Sequence, residues 1–158
     1  MEVKKDNNQF ELTISDTTFL LDPLKINNFR YPIILTNPNL NINKNTIFNS
    51  AGEYNIKEIY FWGFDNKKNI SYLFSNKEVN LIYTVGDILE ENLKKIKMLN
   101  KEIEVLFTIN FFNENLFSFF KPKIIITNQN INLPKFKKEN VNKIKINVKK
   151  VENLIYIF

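Results

Sequence analysis

Phe10-Glu11-Leu12-Thr13-Ile14-Ser15-Asp16-Thr17-Thr18-Phe19-Leu20-Leu21-Asp22-Pro23 decides how the rest of the chain is read. Phe10, Leu12 and Ile14 alternate with polar neighbours, the two-residue period of a strand with one buried face. Ser15-Asp16 interrupts that pattern with turn-forming residues and Thr17 resumes it. Gln9 to Ile14 and Thr17 to Leu21 therefore read as a hairpin. Asp22-Pro23 closes the second strand, because proline has no N–H for a ladder.

The same grammar runs outward. Ile33-Ile34-Leu35, within Tyr31 to Thr36, is the continuous apolar run of a strand buried on both faces. An Asn-rich loop covers Asn37 to Asn45, Thr46 to Phe48 is a short strand, and Asn49 to Tyr54 reads as a turn. Ile56 to Phe64 and Ile70 to Ser75 flank the loop Asp65-Asn66-Lys67-Lys68, a second hairpin. Further strands are expected at Val79 to Val85, Ile103 to Ile109, Lys123 to Thr127, Val141 to Val148 and Leu154 to Phe158. The spacing of Ile88, Leu89, Leu93, Ile96 and Leu99 predicts a helix over Asp87 to Asn100, capped by Asp87, with acids early and lysines late as the helix dipole favours. Asn113 to Phe120 predicts a short helix that stops before Pro122. The expectation is an α/β or α+β domain with about ten strands and one or two helices. No internal repeat or composition break divides the chain, so residues 1–158 are read as a single domain.

The 158 residues are 44% hydrophobic with 15 Phe, enough for a substantial core, and only 3 Gly and 5 Pro argue against low-complexity disorder. Asn, Ile, Lys and Phe dominate, as in an AT-rich genome. The formal net charge is +5, concentrated in Pro134 to Lys150, which holds seven lysines and one acid, Glu139. Such a segment either attracts phosphates or an acidic partner, or is a solvated strand edge guarded by lysine. Met1 to Asn8 is followed by no apolar run and no stretch is long enough to span a bilayer, so a soluble cytoplasmic protein without membrane contact is expected.

The chain contains no histidine and no cysteine. A Ser-His-Asp or Cys-His nucleophile cannot be built from it, and a metal would have carboxylates, amides and water as ligands, which suit magnesium or calcium better than zinc. Codon drift thins out both residues, but it would not remove ones that carried chemistry. No cofactor is implied.

Several segments, in order, resemble the metallo-β-lactamase superfamily, and specifically its small bacterial metal-dependent hydrolase-like subgroup. They are the opening hairpin ending in Asp22-Pro23; Ile33-Ile34-Leu35-Thr36-Asn37, similar to the strand before the metal-binding loop; and Ala51-Gly52-Glu53-Tyr54, similar to a Pro-Gly-Glu-Tyr turn. Ile82-Tyr83-Thr84-Val85-Gly86-Asp87 is similar to the strand ending in Gly-Asp, and Lys121 to Ile126 resembles the strand before the last metal histidine. The resemblance covers roughly Phe10 to Asn130 and implies a compact, strand-rich α+β fold, an αββα sandwich of two β-sheets with reduced helical layers. The family's His-x-His-x-Asp-His motif would fall on Asn37, Asn39, Asn41 and Ile42, and its late histidine near Gln129. Only Asp87 keeps a usable ligand. By resemblance, Asp22 would brace the loop at 37–42.

The leading expectation is thus a degenerate, metal-free member without catalytic residues, a pseudoenzyme acting as an interaction or structural module through a protein partner or self-association. Phe111-Phe112 and Phe117 to Phe120 are the candidate surplus apolar surface. Two alternatives stay open: a nucleic-acid-binding module using Lys143, Lys145, Lys149 and Lys150, and a residual Mg/Mn-dependent hydrolase using Asp22, Glu53 and Asp87. Asn37, Asn39 and Asn41 also read as turn filler or as an amide-lined pocket for a polar ligand.

Overall fold

The structure, a computed structural model, describes residues 1–6, 9–23, 31–37 and 47–158. Its strands, in chain order, are β1 (Glu2–Asp6), β2 (Gln9–Ile14), β3 (Thr17–Leu21), β4 (Ile33–Ile34), β5 (Ile47–Phe48), β6 (Gly52–Ile56) and β7 (Ile59–Asp65), followed by β8 (Ile70–Ser75), β9 (Asn80–Thr84), β10 (Val105–Thr108), β11 (Ile124–Thr127), β12 (Lys137–Asn140), β13 (Lys143–Lys145) and β14 (Leu154–Ile157). Helix α1 (Glu90–Met98) lies between β9 and β10, and α2 (Glu114–Phe120) between β10 and β11. One sheet runs β13-β1-β2-β3-β4-β5 and the other β12-β14-β11-β10-β9-β8-β7-β6.

The two sheets pack face to face. Leu12, Phe19 and Leu21 from the smaller sheet meet Phe61, Phe74, Tyr83 and Phe107 from the larger. The larger sheet is also covered on its outer face, where Leu73, Ile82 and Leu106 bury against Ile88 and Ile96 of the α1 segment and Leu116 of α2. Burial on both faces explains the apolar stretches Tyr72-Leu73-Phe74, Leu81-Ile82-Tyr83 and Val105-Leu106-Phe107 in β8, β9 and β10. A third cluster, Leu20, Ile33, Leu35 and Ile47, lies on the opposite face of the smaller sheet from Phe19 and Leu21. Among the described residues both α-helices sit on the larger sheet, so the helical layers are reduced as expected.

The hairpins β2–β3 and β7–β8 form where local alternation placed them. Four expectations are corrected. β1 had no signal because Glu2 to Asp6 carries one apolar residue, Val3, yet it pairs with both β2 and β13. Residues 52–54, read within a turn, and Ile56, read as the start of the next strand, belong with Asn55 to the edge strand β6. The helix expected from Asp87 starts at Glu90; its cap position is Leu89, whose N–H donates to Asn66 Oδ1 at 3.0 Å, so a side chain from the β7–β8 loop does what Asp87 was expected to do. The strand expected over 141–148 is shorter, β13 at Lys143–Lys145, and Val148 opens a 3₁₀ turn, while β12 precedes the expected range. β12 edges the larger sheet and β13 the smaller, and the chain changes sheets at Val141–Asn142: Val141 N–H bonds Ile157 O at 2.9 Å, whereas Asn142 O accepts from Lys5 N–H at 2.9 Å. A period of two does not say which sheet a residue joins.

Gly63 shows how tightly β7 is packed. A Cβ there would lie 2.4 Å from the Ser50 carbonyl oxygen and 3.2 Å from Tyr72 Cε1. Gly63→Ala is expected to cost about 1–3 kcal/mol, the range for overpacking against backbone. Thermal unfolding measures it, and an unchanged midpoint would contradict this packing.

Candidate functional site

Four apolar strands end in threonine: Ile34-Leu35-Thr36, Ile82-Tyr83-Thr84, Leu106-Phe107-Thr108 and Ile125-Ile126-Thr127. β9, β10 and β11 are parallel, with Thr84, Thr108 and Thr127 in direct register. Their carboxyl ends, with the β7–β8 loop, form one edge of the larger sheet. The carboxyl ends of β3 and β4 meet it, since Ile70 N–H donates to Thr36 O at 2.7 Å. Loops following parallel strands at such an edge are where α/β folds build binding sites.

Asp22 ties the two sheets at this edge. Its carboxylate accepts from Thr36 N–H at 2.7 Å, from Thr36 Oγ1 at 2.9 Å and from the Tyr83 hydroxyl at 2.5 Å. The backbone at Asp22 is left-handed, with φ 41°, which aspartate tolerates better than most residues. Burial pushes the Asp22 carboxyl above the ordinary carboxylate range, against the pull of Tyr83 and Thr36. Burial, and then the nearby Asp22 charge, holds the Tyr83 hydroxyl well above its usual value. Beside this pair the Tyr72 hydroxyl donates to Leu35 O at 3.1 Å and Phe48 O at 2.9 Å. The brace expected of Asp22 was to residues 37–42; its bonds fall on Thr36, one residue before Asn37, and residues 38–42 lie outside the described residues.

A second network supports the outer face of the edge. Ser71 Oγ and Thr84 Oγ1 are 2.8 Å apart, and Thr84 Oγ1 donates to Gly86 O at 2.7 Å. Buried Asn66 donates to Ser71 Oγ at 2.9 Å and accepts from Asn92 Nδ2 at 3.0 Å. Thr127 Oγ1 accepts from Gln129 N–H at 3.1 Å. Thr108 Oγ1 is the one buried side-chain polar atom without a hydrogen-bond partner among the described residues.

The structure brings three of the six former metal positions, Asn37, Asp87 and Gln129, to this edge. Asn37 follows Thr36 and is exposed. Asn39, Asn41 and Ile42 lie outside the described residues. Asp87 is exposed after β9 and accepts a short hydrogen bond from Asn113 Nδ2. Gln129 follows β11. Between them Asn110, with φ 55°, exchanges hydrogen bonds with Asn128: Asn110 N–H to Asn128 Oδ1 at 2.7 Å and Asn128 Nδ2 to Asn110 Oδ1 at 2.6 Å. Asn66, Tyr83, Asn110, Asn113 and Asn128 had no individual signal; the recurrent strand-ending threonine was the available clue.

Glu53 is not part of this edge. It is exposed on β6, three strands from β9, or roughly 14 Å at the usual strand spacing. Among the described residues no three of His, Cys, Asp and Glu gather as a metal-holding group. Asp22, Glu53 and Asp87 therefore do not converge, which corrects the carboxylate-site alternative. The four lysines of the nucleic-acid alternative lie elsewhere too. Lys143 and Lys145 are on β13, where Lys143 Nζ pairs with Glu2 at 3.0 Å and Lys145 stands opposite Glu2 in register. Lys149 and Lys150 close a single 3₁₀ turn, Val148–Lys150.

No protein-family model matches the chain, and no curated protein matches it significantly. The structure is similar to that of a Thermotoga maritima protein assigned to the Zn-dependent hydrolases of the metallo-β-lactamase superfamily, with a TM-score of 0.72 at 14% identity over 99% of this chain and 98% of that one. The fold is the metallo-β-lactamase fold. A Veillonella parvula protein assigned as a metal-dependent hydrolase is also similar, with a TM-score of 0.53 at 12% identity over 80% of this chain and 83% of that one.

Zinc is the metal this metallo-β-lactamase fold brings to mind, and the donors present do not fit it. Structural and catalytic zinc sites take three or four His, Cys or carboxylate ligands. The chain has no His or Cys, and residues 7–8, 24–30 and 38–46 contain no Asp or Glu either. At the edge Asp87 stands among amides and hydroxyls, hard neutral oxygen donors that hold zinc poorly beside imidazole or thiolate.

Proposed function

We propose that this chain is a catalytically inactive, metal-free protein on the metallo-β-lactamase fold and works as an interaction module. The observation that carries the reading is the state of the two acids at the edge. Asp22 is held by Thr36 and Tyr83 and Asp87 is bonded by Asn113, while the other described metal positions, Asn37 and Gln129, are amides. Asp22 braces the scaffold, and Asp87 lacks the two further His, Cys or carboxylate ligands that a catalytic zinc takes. Among the described residues no helix is long and apolar enough to cross a membrane.

The test is metal analysis and a hydrolase screen on the same preparation. Protein dialysed after exposure to zinc, manganese or magnesium is expected to retain substoichiometric metal. Turnover of phosphodiester, ester and thioester substrates is expected to equal that of buffer. Stoichiometric zinc together with turnover would overturn the reading.

A further inference from the structure

Helix α2 starts at its cap Asn113, bonded to Asp87 at the candidate edge, and its C-terminal end, Phe119 to Lys121, reaches the opposite end of the larger sheet, beside Lys101 to Ile103 that lead into β10. Two apolar grooves flank it. One, of about 370 Å³, is lined by Ile96, Ile103, Phe119 and Phe120. The other, of about 480 Å³, is lined by Phe117, Pro122, Leu133, Pro134 and Phe136. The surplus phenylalanines divide here. Phe111 and Phe120 pack against the helical-layer core, whereas Phe119 is 42% exposed, and Met98, at the end of α1, is 83% exposed. These are two of the three exposed large hydrophobic residues among those described.

The rim is basic. Lys97, Lys101 and Lys121 border the first groove, and Lys121 and Lys135 the second. All four are exposed, and among the described residues none has a carboxylate partner. The acid on this rim, Glu102, is already paired with Lys123 at 3.8 Å. Apolar clefts with unbalanced cations around them match a ligand with apolar anchors and negative flanks.

We propose that this end of the molecule docks an acidic segment of another protein, with apolar side chains seated in the two grooves on either side of α2. The proposal rests on the interaction-module reading and supplies the partner's chemistry. A second copy using the same face would set four lysines against four, which like-charge repulsion opposes. A nucleic-acid strand is disfavoured because stacking needs successive open rings. Here Phe119 packs edge-to-face on Phe120 at 5.0 Å, Phe117 does so on Phe136 at 5.5 Å, and no other lining residue is aromatic.

The probe is a fluorescein-labelled peptide of about 15 residues, long enough to form a marginal helix, with Phe and Leu at helical spacing between glutamates. Its counterpart carries lysine at every glutamate. Anisotropy is expected to show binding of the acidic peptide alone, weakening as salt rises. The pair Lys97→Glu and Lys121→Glu, or Lys135→Glu alone, is expected to weaken binding about tenfold or more, and Phe119→Ala by a similar factor. All four positions are exposed, so the variants are expected to fold, as circular dichroism checks. Three results would overturn the proposal: equal or no binding of the two peptides; indifference to the variants; or preference of this face for oligodeoxythymidine or a second copy in sedimentation. The substitutions lie away from the candidate edge, so such a failure leaves the metal and turnover results untouched.

Discussion

Asp22→Ala is expected to destabilise the protein by about 3–5 kcal/mol, measured by urea unfolding. The substitution removes three hydrogen bonds to a desolvated carboxylate and leaves the fully buried Tyr83 hydroxyl without its acceptor. It also places a Cβ-bearing residue without a polar side chain at φ 41°. Asp22→Asn keeps the shape and tolerates that backbone, so a smaller loss is expected. The pair also reports protonation. The folded Asp22 pKa is raised, chiefly by burial, so the native state holds its proton where the unfolded chain has released it. That contribution to stability is fully present below the ordinary carboxylate value, about 3.9, and is lost as pH rises through the raised folded value. Relative to Asp22→Asn, the parent protein is therefore expected to gain stability on acidification through this window. A relative loss would mean that the hydrogen bonds from Tyr83 and Thr36 outweigh burial.

Phe61→Ala is the second large effect, also about 3–5 kcal/mol. Phe61 is fully buried between the sheets. Its ring lies 5.8 Å from Phe19 and 4.9 Å from Phe48 of the smaller sheet, and 5.0 Å from Tyr54 and 5.4 Å from Phe74 of the larger. Truncation removes the transferred ring and opens a cavity that two hydrogen-bonded sheets cannot easily collapse to fill. Phe61→Leu refills much of that space and is expected to cost less than half as much. Equal losses for both would show that the ring contacts, rather than the volume, hold the sheets together.

What the sequence made legible was local or compositional. The β2–β3 and β7–β8 hairpins followed from alternation around turn residues. The apolar stripe of α1 located a helix, though not its start, because Asn66 of a distant loop receives the Leu89 N–H. β1 escaped because an edge-proximal strand with one buried side chain has no period to detect. Val141 to Val148 read as one strand, although its alternation slips by one residue at Asn142-Lys143, next to the point where the chain passes from one sheet to the other; the slip alone does not name the new partner, since hydrogen-bond partners are chosen by tertiary geometry. At the candidate edge Asp22 was singled out through resemblance, while Tyr83 looked like any core aromatic.

By itself the sequence determined the inventory of donors: no imidazole, no thiol, and one acid, Asp87, left at the positions where related folds are expected to hold metal. Composition survives any folding, so that restriction needed no coordinates. Only the tertiary structure decided where the remaining groups went. Long-range register brought Asp22, Thr36 and Tyr83 together and carried Glu53 three strands away from Asp87. It also left Phe119 and four lysines around the grooves at the opposite end. Convergence of this kind depends on strand order and parallel pairing, which are summed over contacts far apart in the chain and are not written in any one segment of it.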